Sequence, residues 1–204
     1  MDIMIKLIKI FEFAKNTLNS SYNFDNKYDT NFLGTTSEQF ILNKIYNWLY
    51  NIYDEKYKKQ NEEVTRIQNE IKNKLKYEDL CNELNVNQIY LGKNVEYPFK
   101  SVIDILNKIA YEKNLQKKFD ILTQGSLEIH KCILEYTGGA HEIDSMDDEL
   151  PIIIYISTQI NVKNLLAELT MVDDYIKSTM RDDLMQNKMV TNLLSSLLYL
   201  KKTW

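Results

Sequence analysis

The stretch at residues 147–176, DDELPIIIYISTQINVKNLLAELTMVDDYI, decides the fold of this chain. It opens with an acidic pair and Pro151, and an uninterrupted run of apolar and aromatic residues follows at 152–156. Periodicity alone also allows that run to be a buried β-strand. We predict a helix, because Asp147 supplies an N-cap, Pro151 supplies a first-turn proline, and the neighbouring segments have helical spacing.

Helical spacing extends to both sides of this stretch, with apolar residues recurring every three or four positions. Gly138 and Gly139 end the helix before the acidic loop, because glycine readily adopts the backbone conformation found at a helix C-terminus. A short helix and a loop precede Pro98. We therefore predict further helices at 99–111, 115–136, 161–177 and 190–201.

The first third of the chain is predicted to contain three helices. Residues 2–18 have one apolar face, and residues 19–34 are polar and irregular. Thr35 and Glu38 form a capping box, a pattern that starts a helix. The helix at 54–76 is mainly charged, so we expect it to cover other helices with one edge in water. The apolar positions of the three helices are Ile3, Leu7, Ile10, Phe11, Ala14 and Leu18; Phe40, Ile41, Ile45, Trp48, Leu49 and Ile52; and Val64, Ile67, Ile71 and Leu75.

The composition is typical of a chain made of long helices. Only 5 Gly and 2 Pro occur in 204 residues, far below the average usage of about 7% and 5%, so turn-forming residues are scarce. The formal net charge of −4 argues against a nucleic-acid partner, which needs a clustered basic face. Cys81 and Cys132 are the two cysteines, and we expect free thiols in an intracellular protein. The predicted fold class is all-α, with several helices in layers.

Side-chain patterns that support covalent catalysis are scarce in this sequence. His130 and Cys132 form a His-x-Cys pair, but a tetrahedral metal site needs four ligands and the chain has one further His and one further Cys. The run at 136–139 ends in two glycines but lacks the Lys and hydroxyl residue of a phosphate-binding loop. We therefore predict neither a metal site nor a cofactor on this chain.

The strongest cluster of titratable residues is acidic, HEIDSMDDEL at 141–150. On the residues alone, this cluster is the start of a helix, with Asp147 or Asp148 as the cap and Glu149 in the first turn. A role for it in recognition needs support from outside the cluster.

That support is a resemblance to the vacuolar-protein-sorting-nine (VPS-nine) domain family. The family pattern is an Asp-Asp pair, two residues, a Pro, an apolar helix, an Asn-initiated turn, a Leu, and a second helix that ends in an acidic-aromatic stretch. A later Thr-x-Leu follows, and the helix at 118–133 resembles the Lys-Leu-rich helix that precedes the acidic loop. The match is clear from Pro98 onward. The matching residues are Asp147, Asp148, Pro151, Asn161, Leu165, Tyr175, Thr191, Asn192 and Leu193.

The resemblance implies a guanine nucleotide exchange factor for a Rab GTPase of the Rab-five group, which acts in endosomal traffic. It also implies an exchange domain at 71–204, packed on an N-terminal helical bundle at 1–70. The expected partner is the GTPase in its GDP-bound or nucleotide-free form. The expected location is the cytoplasm, with recruitment to endosomal membranes through the GTPase.

Residue roles follow from the same resemblance. Asp147 matches the first Asp of the family pair, which acts as an acidic finger that displaces Mg²⁺ and GDP. Pro151 and Thr191 match residues that line the GTPase-binding groove, and Lys188 and Asn192 occupy contact positions beside them.

The sequence departs from the family pattern at Lys188, where a Tyr usually stands three residues before the Thr. Met189 and Val190 occupy the aromatic positions that follow. A Tyr would supply both an apolar ring and a hydroxyl to the contact. The departure leaves an alternative open, in which the chain is a scaffold of the same fold that binds a Rab GTPase without exchange activity.

Overall fold

The computed structural model describes residues 2–22, 27–92, 95, 97–143, 145–179 and 184–204. No strand occurs in these residues, which confirms the predicted all-α class. Two 3₁₀ turns, Gln88–Tyr90 and Lys108–Ala110, flank the fourth helix. The α-helices of the described residues are α1 (Asp2–Tyr22), α2 (Lys27–Lys74), α3 (Tyr77–Glu83), α4 (Lys100–Asn107), α5 (Leu115–Thr137), α6 (Met146–Gln159), α7 (Leu165–Ser178) and α8 (Leu184–Thr203).

Helices α6 and α7 form the centre of the fold. Residues 152–158 of α6 and 165–169 of α7 are all buried. Helix α7 packs against α1, α2, α5 and α8, while α6 packs against α2, α3, α4 and α8. A helix surrounded in this way needs apolar residues on every side. That requirement explains why the run at 152–156 lacks a helical stripe, and the prediction of a helix there is confirmed.

Helix α2 corrects two predictions about the first third of the chain. Residues 27–74 form one continuous helix, so the predicted helix start at Thr35 is wrong. The predicted irregular segment at 19–34 is wrong for 19–22, which belong to α1, and for 27–34, while 23–26 lie outside the described residues. The predicted apolar face is also wrong in part, since Phe40, Ile41 and Trp48 are exposed. From residue 37 onward, the residues that α2 buries are Leu42, Tyr46, Leu49, Tyr53, Asn61, Val64, Ile67, Gln68 and Ile71.

A row of polar side chains on α2 supports α6 and α7. These side chains lie about two helical turns apart, so they share one face of α2. Each makes a hydrogen bond to α6 or α7 that satisfies a buried group. The pairs are Tyr46 with Glu168 (3.2 Å), Tyr53 with Asp174 (2.8 Å), Asn61 with the backbone N–H of Leu166 (3.0 Å), and Gln68 with the carbonyl of Ser157 (2.7 Å).

Helix α1 is confirmed, but its buried face differs from the predicted one. Met4, Ile8 and Phe11 are buried, whereas Ile10 is 60% exposed. Helix α1 has a broad apolar stripe, and its packing against α2 and α7 buries the side of the stripe that carries these three residues. Ala14 is exposed, and the side chain of Leu18 lies outside the described residues. No helix in the described part of the chain is long and apolar enough to cross a bilayer.

A buried ion pair joins α5 to α7. Lys118 is fully buried, and its Nζ donates to Glu168 Oε2 (2.7 Å) and to the carbonyl of Ile109 (2.8 Å). The ammonium also lies 5.2 Å from the ring centre of Tyr46. Burial lowers the pKa of Lys118 and raises the pKa of Glu168, each toward the neutral form, and the attraction between the two groups opposes both shifts.

Helix α5 ends as the sequence predicts. Gly138 caps it in the left-handed conformation, with φ of 62°, and Gly139 follows with φ of 79°. Glycine adopts such angles readily because it has no Cβ. The acidic cluster at 141–150 begins in the loop after Gly139 and continues into the first turn of α6.

Candidate functional site

The N-terminus of α6 is capped by Ser145. Its Oγ accepts a hydrogen bond from the backbone N–H of Asp148 (3.2 Å) and donates one to Asp148 Oδ2 (2.9 Å). The prediction that Asp147 or Asp148 is the cap is therefore wrong, because both already lie inside the first turn. Pro151 lies in the second turn, so the prediction of a first-turn proline is also wrong.

The capping by Ser145 leaves Asp147 exposed at the positive end of the helix dipole. Asp147 and Pro151 are four residues apart and therefore share one face of α6. Because Pro151 has no N–H, it cannot donate the usual helical hydrogen bond to the carbonyl of Asp147. The first turn of α6 thus presents a carboxylate at the surface and has one backbone bond fewer than a regular helix.

Helix α8 brings the second group of predicted residues to the same region. Thr191 is exposed and Lys188 is partly exposed, and they lie three residues apart on one side of the helix. Asn192 is different, since only 6% of it is exposed. Its Nδ2 atom is buried and makes no hydrogen bond within the described residues. The side chain of Asn192 therefore lies beneath the surface on which Thr191 is exposed.

An ion pair joins α6 to α8 directly. Glu149, in the first turn of α6, is only 2% exposed, and its Oε2 lies within ion-pair distance of Lys188 Nζ. Among the described residues, no group donates a hydrogen bond of good geometry to that oxygen. Lys188 is thus the charged partner of a buried carboxylate, and the pair places the turn that carries Asp147 beside the start of α8.

The charges at this site are predominantly negative. Asp147, Asp148 and Glu149 all lie in the first turn of α6, where the helix dipole favours negative charge. Ser145 binds Asp148 and Lys188 neutralises Glu149. Of these three acids only Asp147 is exposed, Asp148 being partly buried and Glu149 buried, so Asp147 is the one best placed to meet a cation on a partner.

The surface beside Asp147 is partly apolar. Met146 is 47% exposed, and Pro151 is partly exposed on the same helix. On α8, Leu198 and Tyr199 are exposed further along the face that begins with Thr191. The sequence analysis did not include Met146, although its position in the first turn of α6 is a signal that could have identified it.

The remaining motif residues have structural roles. Leu165, Tyr175 and Leu193 are buried in the core. The backbone N–H of Asn161 donates to Asn107 Oδ1 (2.7 Å), which holds the turn between α6 and α7 against α4. These residues fix the helices, whereas Asp147, Pro151, Lys188 and Thr191 lie where a partner can reach them.

Comparison with known proteins agrees with this arrangement. The sequence pattern of the Vacuolar sorting protein 9 (VPS9) domain matches residues 99–203, which cover helices α4 to α8. No curated protein matches the chain. VPS9 domains are exchange domains for Rab GTPases, so the match supports a Rab exchange function in general and a partner of the Rab kind. The match spans more than half of the chain, and the protein belongs to the VPS9 domain family.

Proposed function

We propose that this protein is a guanine nucleotide exchange factor for a Rab GTPase of the Rab-five group, with Asp147 as its acidic finger. The observation that carries the proposal is the placement of Asp147. It is exposed in the first turn of α6, within the residues matched to the VPS9 domain, and beside an ion pair that joins α6 to α8. Pro151, Lys188 and Thr191 border the proposed GTPase contact, and the buried Asn192 supports it from below.

The acidic finger acts by replacing phosphate. A GTPase holds its nucleotide through a P-loop Lys and a Mg²⁺ ion, which together neutralise the phosphate charge. A carboxylate inserted into that site pairs with the Lys that phosphate has left. Its negative charge and the displaced switch loop also remove the support for Mg²⁺. The nucleotide-free GTPase is thereby stabilised, and no covalent step or cofactor on this chain is required.

The magnitudes show that Asp147 needs help from the rest of the surface. Nucleotide binding at picomolar affinity corresponds to about −16 kcal/mol. A close charge pair across an interface contributes roughly 1.5 to 7 kcal/mol. The difference has to come from burial of the GTPase switch regions against apolar surface, for which Met146 and Pro151 on α6 and Leu198 on α8 are available.

Thermodynamic linkage makes the reaction a cycle. If the exchange factor weakens nucleotide binding by some factor, bound nucleotide must weaken the binding of the exchange factor by the same factor. Incoming GTP therefore releases the protein from the GTPase.

Membrane recruitment in this scheme occurs through the GTPase, which places the exchange factor in the cytoplasm and at endosomal membranes. Residues 1–70 act as the supporting helical bundle, and residues 71–204 act as the exchange domain.

The second candidate function is a scaffold that binds the GTPase without emptying it. Lys188 favours this candidate, because it stands where the family usually has a Tyr and its ammonium is engaged by Glu149. A GTPase contact that lacks the Tyr ring loses buried apolar area and a hydroxyl group. Such a surface still binds a Rab GTPase but has less free energy available for displacing the nucleotide.

The release of a fluorescent GDP analogue from a panel of purified Rab GTPases tests both candidates. The proposal predicts faster release from GTPases of the Rab-five group, and from few others. The scaffold predicts a stable complex, detected by size-exclusion chromatography, without faster release from any member of the panel. Neither release nor a complex with a nucleotide-free GTPase would contradict both candidates.

A further inference from the structure

We propose that Glu149 and Lys188 act together as a positioning device that holds the first turn of α6, and with it Asp147, against α8. The inference rests on the proposed function for its effect on nucleotide exchange. The claim that the ion pair fixes the first turn of α6 to α8 depends on the geometry alone.

Burial of the Glu149 carboxylate makes its partner necessary. Only 2% of Glu149 is exposed, and an ionised carboxylate removed from water is strongly destabilising unless it is paired. Lys188 supplies that pairing from α8, while about two thirds of its own side chain stays out of water. By contrast, ion pairs such as Lys100 with Asp104 lie on the surface of a single helix, where they contribute little to stability.

The first turn of α6 depends on this contact because its backbone is weakened. Pro151 cannot donate a hydrogen bond to the carbonyl of Asp147, so α6 lacks one backbone hydrogen bond next to the acidic finger. The Ser145 cap holds the turn within its own chain segment. The Glu149 to Lys188 pair is the side-chain ion pair that fixes the turn to a second helix.

The geometry also assigns a role to the departure from the family pattern. Lys188 lies where the family usually has a Tyr, and its ammonium points to Glu149. Asp147 lies two residues before Glu149 and therefore on the opposite side of α6, free to face a partner. Lys188 thus acts through Glu149 and is a positioning residue, whereas Asp147 is the group that enters the GTPase.

The test compares Lys188→Met, Glu149→Gln, the double variant and the conservative Lys188→Arg. Lys201→Met is the matched control, because Lys201 lies on the same helix and pairs with Glu63 of α2 (2.8 Å), away from α6. Amide hydrogen exchange is measured at residues 149, 150, 152 and 153, since Pro151 has no N–H. Nucleotide release is measured as a function of GTPase concentration for every variant.

Each single variant should speed amide exchange in the first turns of α6 by roughly tenfold, since removing one partner of a buried ion pair costs at least the free energy of a tenfold change. The double variant should be no faster than either single variant, because both remove one contact. Lys188→Arg and Lys201→Met should leave these amides unchanged. The maximal rate of nucleotide release should fall by about tenfold to a hundredfold, while the GTPase concentration for half-maximal rate changes little.

Several outcomes would overturn the inference. Unchanged amide exchange in Lys188→Met and Glu149→Gln would show that the pair does not hold α6. A raised half-maximal GTPase concentration in Lys188→Met alone would show that Lys188 contacts the GTPase directly. If the unmodified protein releases no nucleotide, the proposed function fails separately, and the amide measurements still decide whether the pair holds α6.

Discussion

Replacement of Lys118 by Met should destabilise the protein more than any change on its surface. Lys118 is fully buried between α5 and α7, and its three interactions are with the Glu168 carboxylate, the Ile109 carbonyl and the Tyr46 ring. Met has a similar length and fills a similar volume, so the change removes the charge and its hydrogen bonds with little loss of packing. Among the residues that the structure describes, the remaining hydrogen-bond partner of Glu168 is then the Tyr46 hydroxyl, at 3.2 Å, and Glu168 is only 4% exposed.

The expected loss follows from the charge that is left behind. Removing one member of a buried ion pair typically costs about 3 to 5 kcal/mol of unfolding free energy, because the remaining charge has no compensation. For a chain of this length, each kcal/mol lowers the melting temperature by about 2 to 4 °C, so the shift should be roughly 6 to 20 °C. The double variant Lys118→Met/Glu168→Gln should recover a large part of the loss, since neither charge is then buried alone.

Urea denaturation followed by circular dichroism measures these free energies. Lys117→Met is the control, because Lys117 is exposed on the same helix, and surface changes usually stay within about 0.5 kcal/mol. Two results would refute the reasoning. One is a loss of unfolding free energy for Lys118→Met that is no larger than the loss for the control. The other is a loss for the double variant that exceeds the sum of the losses for the two single variants.

Three further predictions use other buried groups. Gly125 is buried, and a Cβ on it would lie 2.6 Å from Cδ2 of the fully buried Leu106, so Gly125→Val should lower the unfolding free energy by about 1 to 3 kcal/mol in the same urea assay. Burial raises the pKa of Cys81 to about 12 and also raises the pKa of Cys132, so neither thiol should react with Ellman's reagent at neutral pH until guanidinium unfolds the chain. Burial raises the pKa of Glu168, so its contribution to stability is complete below the ordinary carboxyl pKa and is lost as the pH rises through the folded value. The stability difference between the unmodified protein and Glu168→Gln, measured as unfolding free energies, should therefore decrease as the pH rises from the ordinary carboxyl pKa through the raised pKa of folded Glu168.

Local sequence patterns predicted the type of most elements. Helix α6 followed from the acidic start and its helical neighbours, and the glycine pair marked the end of α5 correctly. Both features depend on residues within a few positions of each other. The cap was assigned to Asp147 instead of Ser145 because Ser and Asp are about equally good N-caps, so propensity alone could not choose between them.

The faces of the N-terminal helices were harder to predict, because tertiary contacts choose among apolar residues. Helix α2 buries Leu42 and Tyr46 and leaves Phe40 and Trp48 exposed, although all four lie in one apolar stretch. The choice depends on where α7 lies, and α7 is more than 100 positions away in the sequence. The polar composition of residues 19–34 was likewise a weak indicator, since helix propensities differ by less than about 1 kcal/mol for ordinary residues.

At the candidate site, the motif suggested residues but not their arrangement. Asp147 and Thr191, to which the resemblance assigns GTPase contacts, are both exposed, and their roles stay a prediction. The pairing of Glu149 with Lys188 was missed, because it joins residues 39 positions apart and no local pattern links them. The burial of Asn192 was missed for the same reason, since it depends on the packing of α8 against the central helices.

The rate of GDP release with Asp147→Asn tests the central claim most directly. Asn keeps the shape of the side chain and removes its charge, so folding and docking should be preserved. Glu142→Gln is the matched control, because Glu142 is an exposed acid in the loop before α6. The account predicts that Asp147→Asn slows release from the responsive Rab GTPase by at least about tenfold and that Glu142→Gln has no effect. Release as fast with Asp147→Asn as with the unmodified protein would contradict the account.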